Sequence, residues 1–337
     1  MRYLEPHSRF IPSQHQPALI LAFAQDRDVP TSVLFRSTDL STREMLDCPS
    51  LISAQQHLQL MANTVAYLQS PDTGFLLGQL ALPGHFGALS QALMHAPHLK
   101  GALNLLVRYQ SQLSPLLVPH LHPVRDQVML YWTDAFGAPA QRSCLVEMSM
   151  SAVHAMCRWL GERPLDWTFC FNRPHPRSSE HHEVHLGRKL RFNCLVDGIL
   201  IDADTLDTPW PRGSEIGMAV AMRALSGAAE SPLSLLSVLY DHLLHHIQDP
   251  PSLDSTAHHF GISPATFKRQ LARLGTHFQA ELDQVRTHVT LQLFHGESCD
   301  NDHVAHYLGF HDAANFRRSF KRWTGLTPNS LRAVLSS

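Results

Sequence analysis

Apolar positions in the first half of the chain recur mainly at helical spacing. Ala18 to Ala24 is apolar and follows Pro17, a residue tolerated in the first helical turn. Ser53-x-x-Gln56 has the form of a capping box, and Leu58, Met61, Val65 and Leu68 follow on one helical face. Pro71-Asp72-Thr73-Gly74 supplies turn chemistry after it. Two further helices are predicted, over Ala88 to His95 and over Leu99 to Leu113, the second stopped by Pro115. The pattern then changes. Leu116 to His120 and Val128 to Trp132 read as strands separated by Pro123 and Asp126, and Trp167 to Phe171 and Val196 to Ile201 read as further strands. Ser143 to Leu160 returns to helical spacing. The front of the chain is therefore expected to be a mixed α and β domain with four to six strands.

Thr208-Pro209-Trp210-Pro211-Arg212-Gly213 interrupts any regular element, and Gly227-Ala228-Ala229-Glu230-Ser231-Pro232 forms a second break. Ile216 to Leu225, between them, has the length of a linker helix. The expected division is residues 1–212, a linker over 213–230, and a tail of short helices over 231–337.

The tail repeats itself. Ala257 is followed four residues later by Gly261 and then by Ser263; Ala305 is followed four residues later by Gly309 and then by Asp312. The alanine permits a close helix crossing, the glycine a turn with positive φ, and Ser263 or Asp312 can cap the next helix. Pro264 falls at the first position of that helix, where its missing N–H is harmless. Phe267 and Leu271 in one copy, and Phe316 and Phe320 in the other, form inward stripes. The opposite faces carry Lys268, Arg269 and Arg273, and Arg317, Arg318, Lys321 and Arg322. Helix, glycine turn and capped basic helix is the helix-turn-helix layout.

Residues Ser252 to Arg332 resemble the AraC/XylS DNA-binding domain. The stretch that carries the resemblance is Leu308-Gly309-Phe310, then Asn315-Phe316-Arg317-Arg318-Ser319-Phe320-Lys321-Arg322-Trp323-Thr324-Gly325-Leu326-Thr327-Pro328, closing on Leu331-Arg332. Gly261-Ile262-Ser263-Pro264-Ala265-Thr266-Phe267-Lys268-Arg269 is similar to the family's first unit, and Arg286 stands where the family places an arginine on the connecting helix. Thr290 replaces the usual alanine there, which bears on how that helix packs. The resemblance implies that each second helix enters a major groove and that the two read adjacent turns of one DNA face. By position, Ser263, Ala265, Thr266, Lys268, Arg269 and Arg273 fall on the first DNA-facing helix, and Ala313, Ala314, Asn315, Arg317, Arg318 and Lys321 on the second. Arg269 and Arg318 are the expected base readers, since a guanidinium can bond guanine O6 and N7 together. Lys268, Arg317 and Lys321 are expected on phosphates, and Ala265, Ala313 and Ala314 can offer only methyl contacts, for example to thymine.

Gly84-His85-Phe86-Gly87 and Leu186-Gly187-Arg188-Lys189-Leu190-Arg191-Phe192-Asn193 resemble the sensor half of the ornithine- and arginine-type regulators in the same family. This implies an effector-sensing or dimerising role, with His85 as a candidate effector contact. The expected fold is an α+β N-terminal sensor domain followed by an all-α C-terminal domain with two helix-turn-helix units. The expected partners are a double-stranded DNA operator, RNA polymerase, a small-molecule effector and a second copy of the chain, with no membrane and no cofactor.

Composition fits this picture. A chain of 337 residues suits two domains, and 44% hydrophobic against 17% charged residues is a folding composition. No apolar run reaches the roughly 18 residues that a span requires, and Met1 to His7 lacks a signal-peptide core, so a cytoplasmic location is expected. The six cysteines form no Cys-x-x-Cys pair, which argues against a zinc or thioredoxin-type site and for reduced, buried thiols. The net charge of −2 excludes bulk attraction to nucleic acid, so binding must come from local clusters. Between Thr256 and Arg332 nine cations face six acids, and eight of the chain's 24 histidines lie there: His258, His259, His277, His288, His295, His303, His306 and His311. Those near phosphates would gain a proton on binding, His311 first.

Other residues have spacings that suit other chemistries. His181 and His185 within His181-His182-Glu183-Val184-His185, and His242 and His246, have the i,i+4 spacing of metal ligands on a helix, although Pro174, Pro176 and Gly187 favour a loop around the first pair. A nucleophilic cysteine would need a histidine beside it in space. A methyl-accepting repair protein with the same tail would need a four-cysteine zinc module that these spacings do not supply. Phosphate-binding glycine loops are absent. A non-catalytic regulator is therefore expected, with a constitutive architectural DNA binder as the alternative.

Overall fold

A computed structural model describes residues 3–46, 50–163, 165–225, 233–296 and 299–335. The glycine-rich break at 227–232 lies outside the described residues. A five-stranded sheet stands at the centre. Its strands run in the order Leu117–Val124, Gln127–Asp134, Gly198–Asp202, Thr168–Cys170 and Leu190–Arg191, antiparallel except for the last pair. The first strand tolerates Pro119 and Pro123 because it lies at an edge, where a missing N–H breaks no ladder. Its hairpin turns through Arg125 and Asp126, with Val124 paired to Gln127.

Both faces of this sheet are covered, and period-two alternation assigns the residues. From Gln127–Asp134, Val128, Leu130 and Trp132 enter the core of the front half, joined there by Ile199, Ile201 and Phe169. Met129 and Tyr131 enter a second core with Leu200 and Cys170, made mostly by the tail helices. The near-continuous apolar run of this strand is the mark of a strand buried on both sides.

On the first face, helix Arg142–Gly161 packs lengthwise on Thr73–Ala81. Ser53 and Gln56 close a full capping box at the start of Ala54–Leu68. Among the described residues five helices of the front half are unmarked by sequence pattern: Thr31–Leu34, Thr42–Leu46, Thr73–Ala81, Glu180–Leu186 and Ala203–Leu206. So is a two-stranded ribbon, Arg9–Pro12 with Leu51–Ser53. The helix expected over Leu99 to Leu113 is two, Leu99–Arg108 and Gln110–Leu113, broken at Tyr109. The linker helix, observed as Glu215–Leu225, is not a free spacer: Ala221 is buried in the front core, and Met218, Met222 and Leu225 pack against it.

The described tail is entirely helical from Leu235 onward: Leu235–His245, Leu253–His259, Pro264–Arg273, Phe278–Gly296, Asn301–Tyr307, Ala313–Thr324 and Pro328–Leu335. Among the described residues no helix is long and apolar enough to cross a membrane.

Candidate nucleic-acid interface

Two units of the same construction stand in the tail. In the first, Leu253–His259 ends at Gly261, whose φ of 71° makes the turn, and Ser263 accepts the Thr266 backbone N–H at 3.2 Å. Pro264 opens the second helix as expected. In the second unit, Asn301–Tyr307 ends at Gly309, with φ 73°, and Asp312 accepts the Asn315 N–H at 2.6 Å. Phe267 and Leu271, and Phe316 and Phe320, are fully buried. Burial of the four rings and side chains, roughly 1.5–3 kcal/mol each, sets the rotation of both helices and so turns their opposite faces outward.

Ser263, Ala265, Lys268, Arg269 and Arg273 are exposed and Thr266 is half-buried on the first helix. On the second, Ala314, Arg317, Arg318 and Lys321 are exposed and Asn315 is half-buried. Ala313 departs from expectation. It is only 8% exposed, because it sits on the inward side beside Phe316, and its methyl is not available for a base contact. Arg318 is held in position: its guanidinium donates to Asn315 Oδ1 at 2.6 Å, and Asn315 Nδ2 donates to Asp312 Oδ2 at 3.0 Å. The cap thus orients the candidate reader. The Asp312 carboxyl lies below its usual range, first because it accepts the Asn315 N–H and then because of His311.

The long connecting helix Phe278–Gly296 holds the units together. The Arg286 guanidinium lies 4.8 Å from the Phe310 ring centroid and 5.6 Å from that of Trp323, so it serves packing between the units. Thr290 is fully buried, and its hydroxyl donates to the Arg286 carbonyl at 2.8 Å. The replacement of alanine is accommodated by that bond. Of the eight tail histidines, His258, His259, His277, His303, His306 and His311 are exposed. His288 is not: burial pushes it down to about 3, so it stays neutral and cannot serve DNA.

The front half carries its own corrections. His85 is exposed in the loop between Gly84 and Gly87 and lines none of the described cavities, so the expectation of an effector contact does not stand on geometry. His181 and His185 do lie on a helix, Glu180–Leu186, and both hydrogen-bond Asp72 Oδ1 at 2.9 Å. His242 stacks on His259 with ring centroids 4.3 Å apart, while His246 Nδ1 bonds the His242 carbonyl. Among the described residues no cluster of histidine, cysteine, aspartate or glutamate has the arrangement of a metal site.

Sequence pattern gave no sign of how the halves meet. Tyr131 of the sheet and Tyr240 of the first tail helix share a buried 2.9 Å hydrogen bond, and Tyr240 continues to His288 Nδ1 at 2.9 Å. At the other side the Tyr3 hydroxyl donates to Gln270 Oε1 at 2.8 Å, on the first candidate reading helix. The turn after the second strand is held by Asp134, which accepts the N–H groups of Phe136, Gly137 and Ala138. It abuts the end of the same helix so closely that a Cβ on Gly137 would stand 2.1 Å from the Leu274 carbonyl oxygen.

Residues 29–210 match the arabinose-binding domain of the AraC transcription regulator, and residues 256–333 match a helix-turn-helix domain. The chain belongs to the AraC family of transcription regulators. This AraC-family protein is similar to an ornithine utilization regulator of Pseudomonas aeruginosa, at 26% identity over 86% of this chain and 87% of the other. It is also similar to an uncharacterised HTH-type transcriptional regulator of Mycobacterium tuberculosis, at 22% identity over 98% of each. The crystal structure of the transcriptional regulator CdpR of Pseudomonas aeruginosa aligns with a TM-score of 0.39 and 20% identity, covering 81% of this chain and 91% of that one. The AraC-family chain is thus a DNA-binding transcription regulator with a ligand-binding or dimerisation domain in front, and not an enzyme.

Proposed function

We propose that this regulator lays the helices Pro264–Arg273 and Ala313–Thr324 into successive major grooves on one face of its operator, and that the state of the front half sets how well they fit. Arg269 and Arg318 read guanine, Lys268, Arg317 and Lys321 hold phosphates, and Ala265 and Ala314 offer methyl contacts. The observation that carries this reading is the outward placement of Arg269 and Arg318 on two helices built behind equivalent capped turns. Residues 1–212 are proposed to bind a small-molecule effector or a second copy of the chain, and pairing and contact with RNA polymerase belong to the same reading. The buried tyrosine bond and the docked turn support a front half that acts on the reading helices.

Duplexes enriched from a random pool by the full chain provide the test. Arg318→Ala is expected to cost roughly 1–3 kcal/mol at one base position and to relax preference there. Lys321→Ala is expected to weaken every sequence alike and to lower the salt slope by about one. Equal weakening of enriched and random duplexes by Arg318→Ala would remove its role as a base reader.

A further inference from the structure

Two cysteines meet on the face of the sheet that carries the tail. Cys170 ends the strand Thr168–Cys170, and Cys194 lies in the segment that follows the neighbouring edge strand, Leu190–Arg191. Three backbone hydrogen bonds clamp that segment to the chain after Cys170. The Phe171 N–H donates to the Arg191 carbonyl at 2.8 Å, the Cys194 N–H to the Phe171 carbonyl at 3.0 Å, and the Asn193 N–H to the Arg173 carbonyl at 2.8 Å. Asn193 makes the bend before Cys194 with a φ of 56°, a conformation that asparagine tolerates better than most residues. Phe171 points into the front core, so its neighbour Cys170 points the other way, into the second core with Met129, Tyr131 and Leu200. Cys194 packs against that same core and is half-buried, whereas Cys170 is only 4% exposed. The two thiols are in hydrogen-bond contact with each other. This contact separates their chemistry. It is the first cause that holds Cys194 below the usual thiol range, with burial opposing it, and the first that raises Cys170, with burial adding to it. Cys144 and Cys157, on the front core, are both pushed up by burial.

We infer that Cys170 and Cys194 form a peroxide-responsive thiol pair, Cys194 the attacking sulfur and Cys170 the resolving one, which closes reversibly to a disulfide. The thiolate is the nucleophilic form of cysteine, and an accessible sulfur that favours it, poised beside a second thiol, is the arrangement of a redox sensor. In the first step the Cys194 thiolate attacks one oxygen of hydrogen peroxide. The O–O bond breaks, and the other oxygen leaves as hydroxide and takes up the proton that Cys194 has lost. Cys194 is then a sulfenic acid, and one water has formed. In the second step the Cys170 sulfur attacks the Cys194 sulfur. The S–S bond forms, the S–O bond breaks, and the hydroxyl leaves with the Cys170 proton as a second water. The two thiols together give up two electrons, and one peroxide accepts both. A dithiol reverses the reaction by exchange. The contact with Cys170 also spares Cys194 further oxidation to the sulfinic acid, which is irreversible for most proteins. None of this chemistry depends on the DNA reading.

The test exposes the full, reduced chain to a small excess of hydrogen peroxide, then denatures it and alkylates the remaining thiols with N-ethylmaleimide. Two alkylated thiols per chain are expected to be lost and to return after treatment with dithiothreitol. Proteolysis should yield one linked pair of peptides, those that contain Cys170 and Cys194. Cys194→Ser is expected to lose the response and keep its remaining thiols. Cys170→Ala is expected to stop at the sulfenic acid, so dimedone should label Cys194 in that variant and not in fully oxidised wild type. Because Cys194 is half-buried, Cys194→Ser tests the pair even where Cys170→Ala, in the core, fails to fold. On the reduced wild type, a limiting amount of iodoacetamide should modify Cys194 ahead of Cys144 and Cys157. Retention of every thiol by the wild type, an equal loss of thiols in Cys194→Ser, or a disulfide between other cysteines in place of this pair each overturns the inference.

Discussion

Tyr240→Phe deletes one oxygen at the contact between the two halves and nothing else. That oxygen bonds Tyr131 and His288, each at 2.9 Å, and all three side chains are buried. His288 is neutral, since burial pushes it down to about 3, so its Nδ1 accepts a proton from Tyr240 as readily as it donates one. Removing the hydroxyl loses two bonds worth about 1 kcal/mol each, and leaves a buried imidazole nitrogen without a partner at about 1–3 kcal/mol. The expected loss is at least about 3 kcal/mol. In urea, with a slope of about 1–3 kcal/mol per molar, the midpoint should fall by about 1–3 M. Tyr131→Phe alone should cost less, because it breaks one of the two bonds. The double variant should be less destabilised than the sum of the singles, with a coupling of about 0.5–3 kcal/mol. A change below about 0.5 kcal/mol in Tyr240→Phe, or strict additivity, would mean that the tyrosine bond does not join the halves.

Acid should destabilise the fold. His57 and His288 are buried, and burial depresses each to about 3 from an unfolded value near 6.5. Below pH 6.5 the unfolded chain takes up protons that the folded chain refuses, so stability falls from there toward pH 3, by about 2 kcal/mol per histidine at pH 5. A melting temperature that stays flat between pH 7.5 and 5 would contradict this. Gly137→Ala should cost at least about 1–2 kcal/mol from its φ of 73° alone, with more from the overlap with the Leu274 carbonyl, and a urea midpoint equal to wild type would refute the close approach.

The helix-turn-helix units were legible in the chain because each is a local device. Gly261 with Ser263, and Gly309 with Asp312, set turn and cap within a few residues, and the spacing of Phe267 and Leu271 or Phe316 and Phe320 sets which face turns inward. The capping box at Ser53 and the strand over Gln127–Asp134 follow the same logic. Ala313 was misassigned because the first turn of a helix has not yet separated its faces, and only contact with the domain shows which side it takes. The helix Thr73–Ala81 escaped notice because it is apolar around most of its circumference, and a helix buried on several sides has little periodicity to read. Local sequence thus determined the two basic, capped helices, their inward aromatic stripes and the strand over Gln127–Asp134, since those depend on neighbours a few residues apart. Tertiary structure alone decided what lies across the domain contact. Tyr131 meets Tyr240 at a separation of 109 residues, and Tyr3 meets Gln270 at 267. No periodicity spans such distances; the packing of the tail against the sheet's second face brings these residues together.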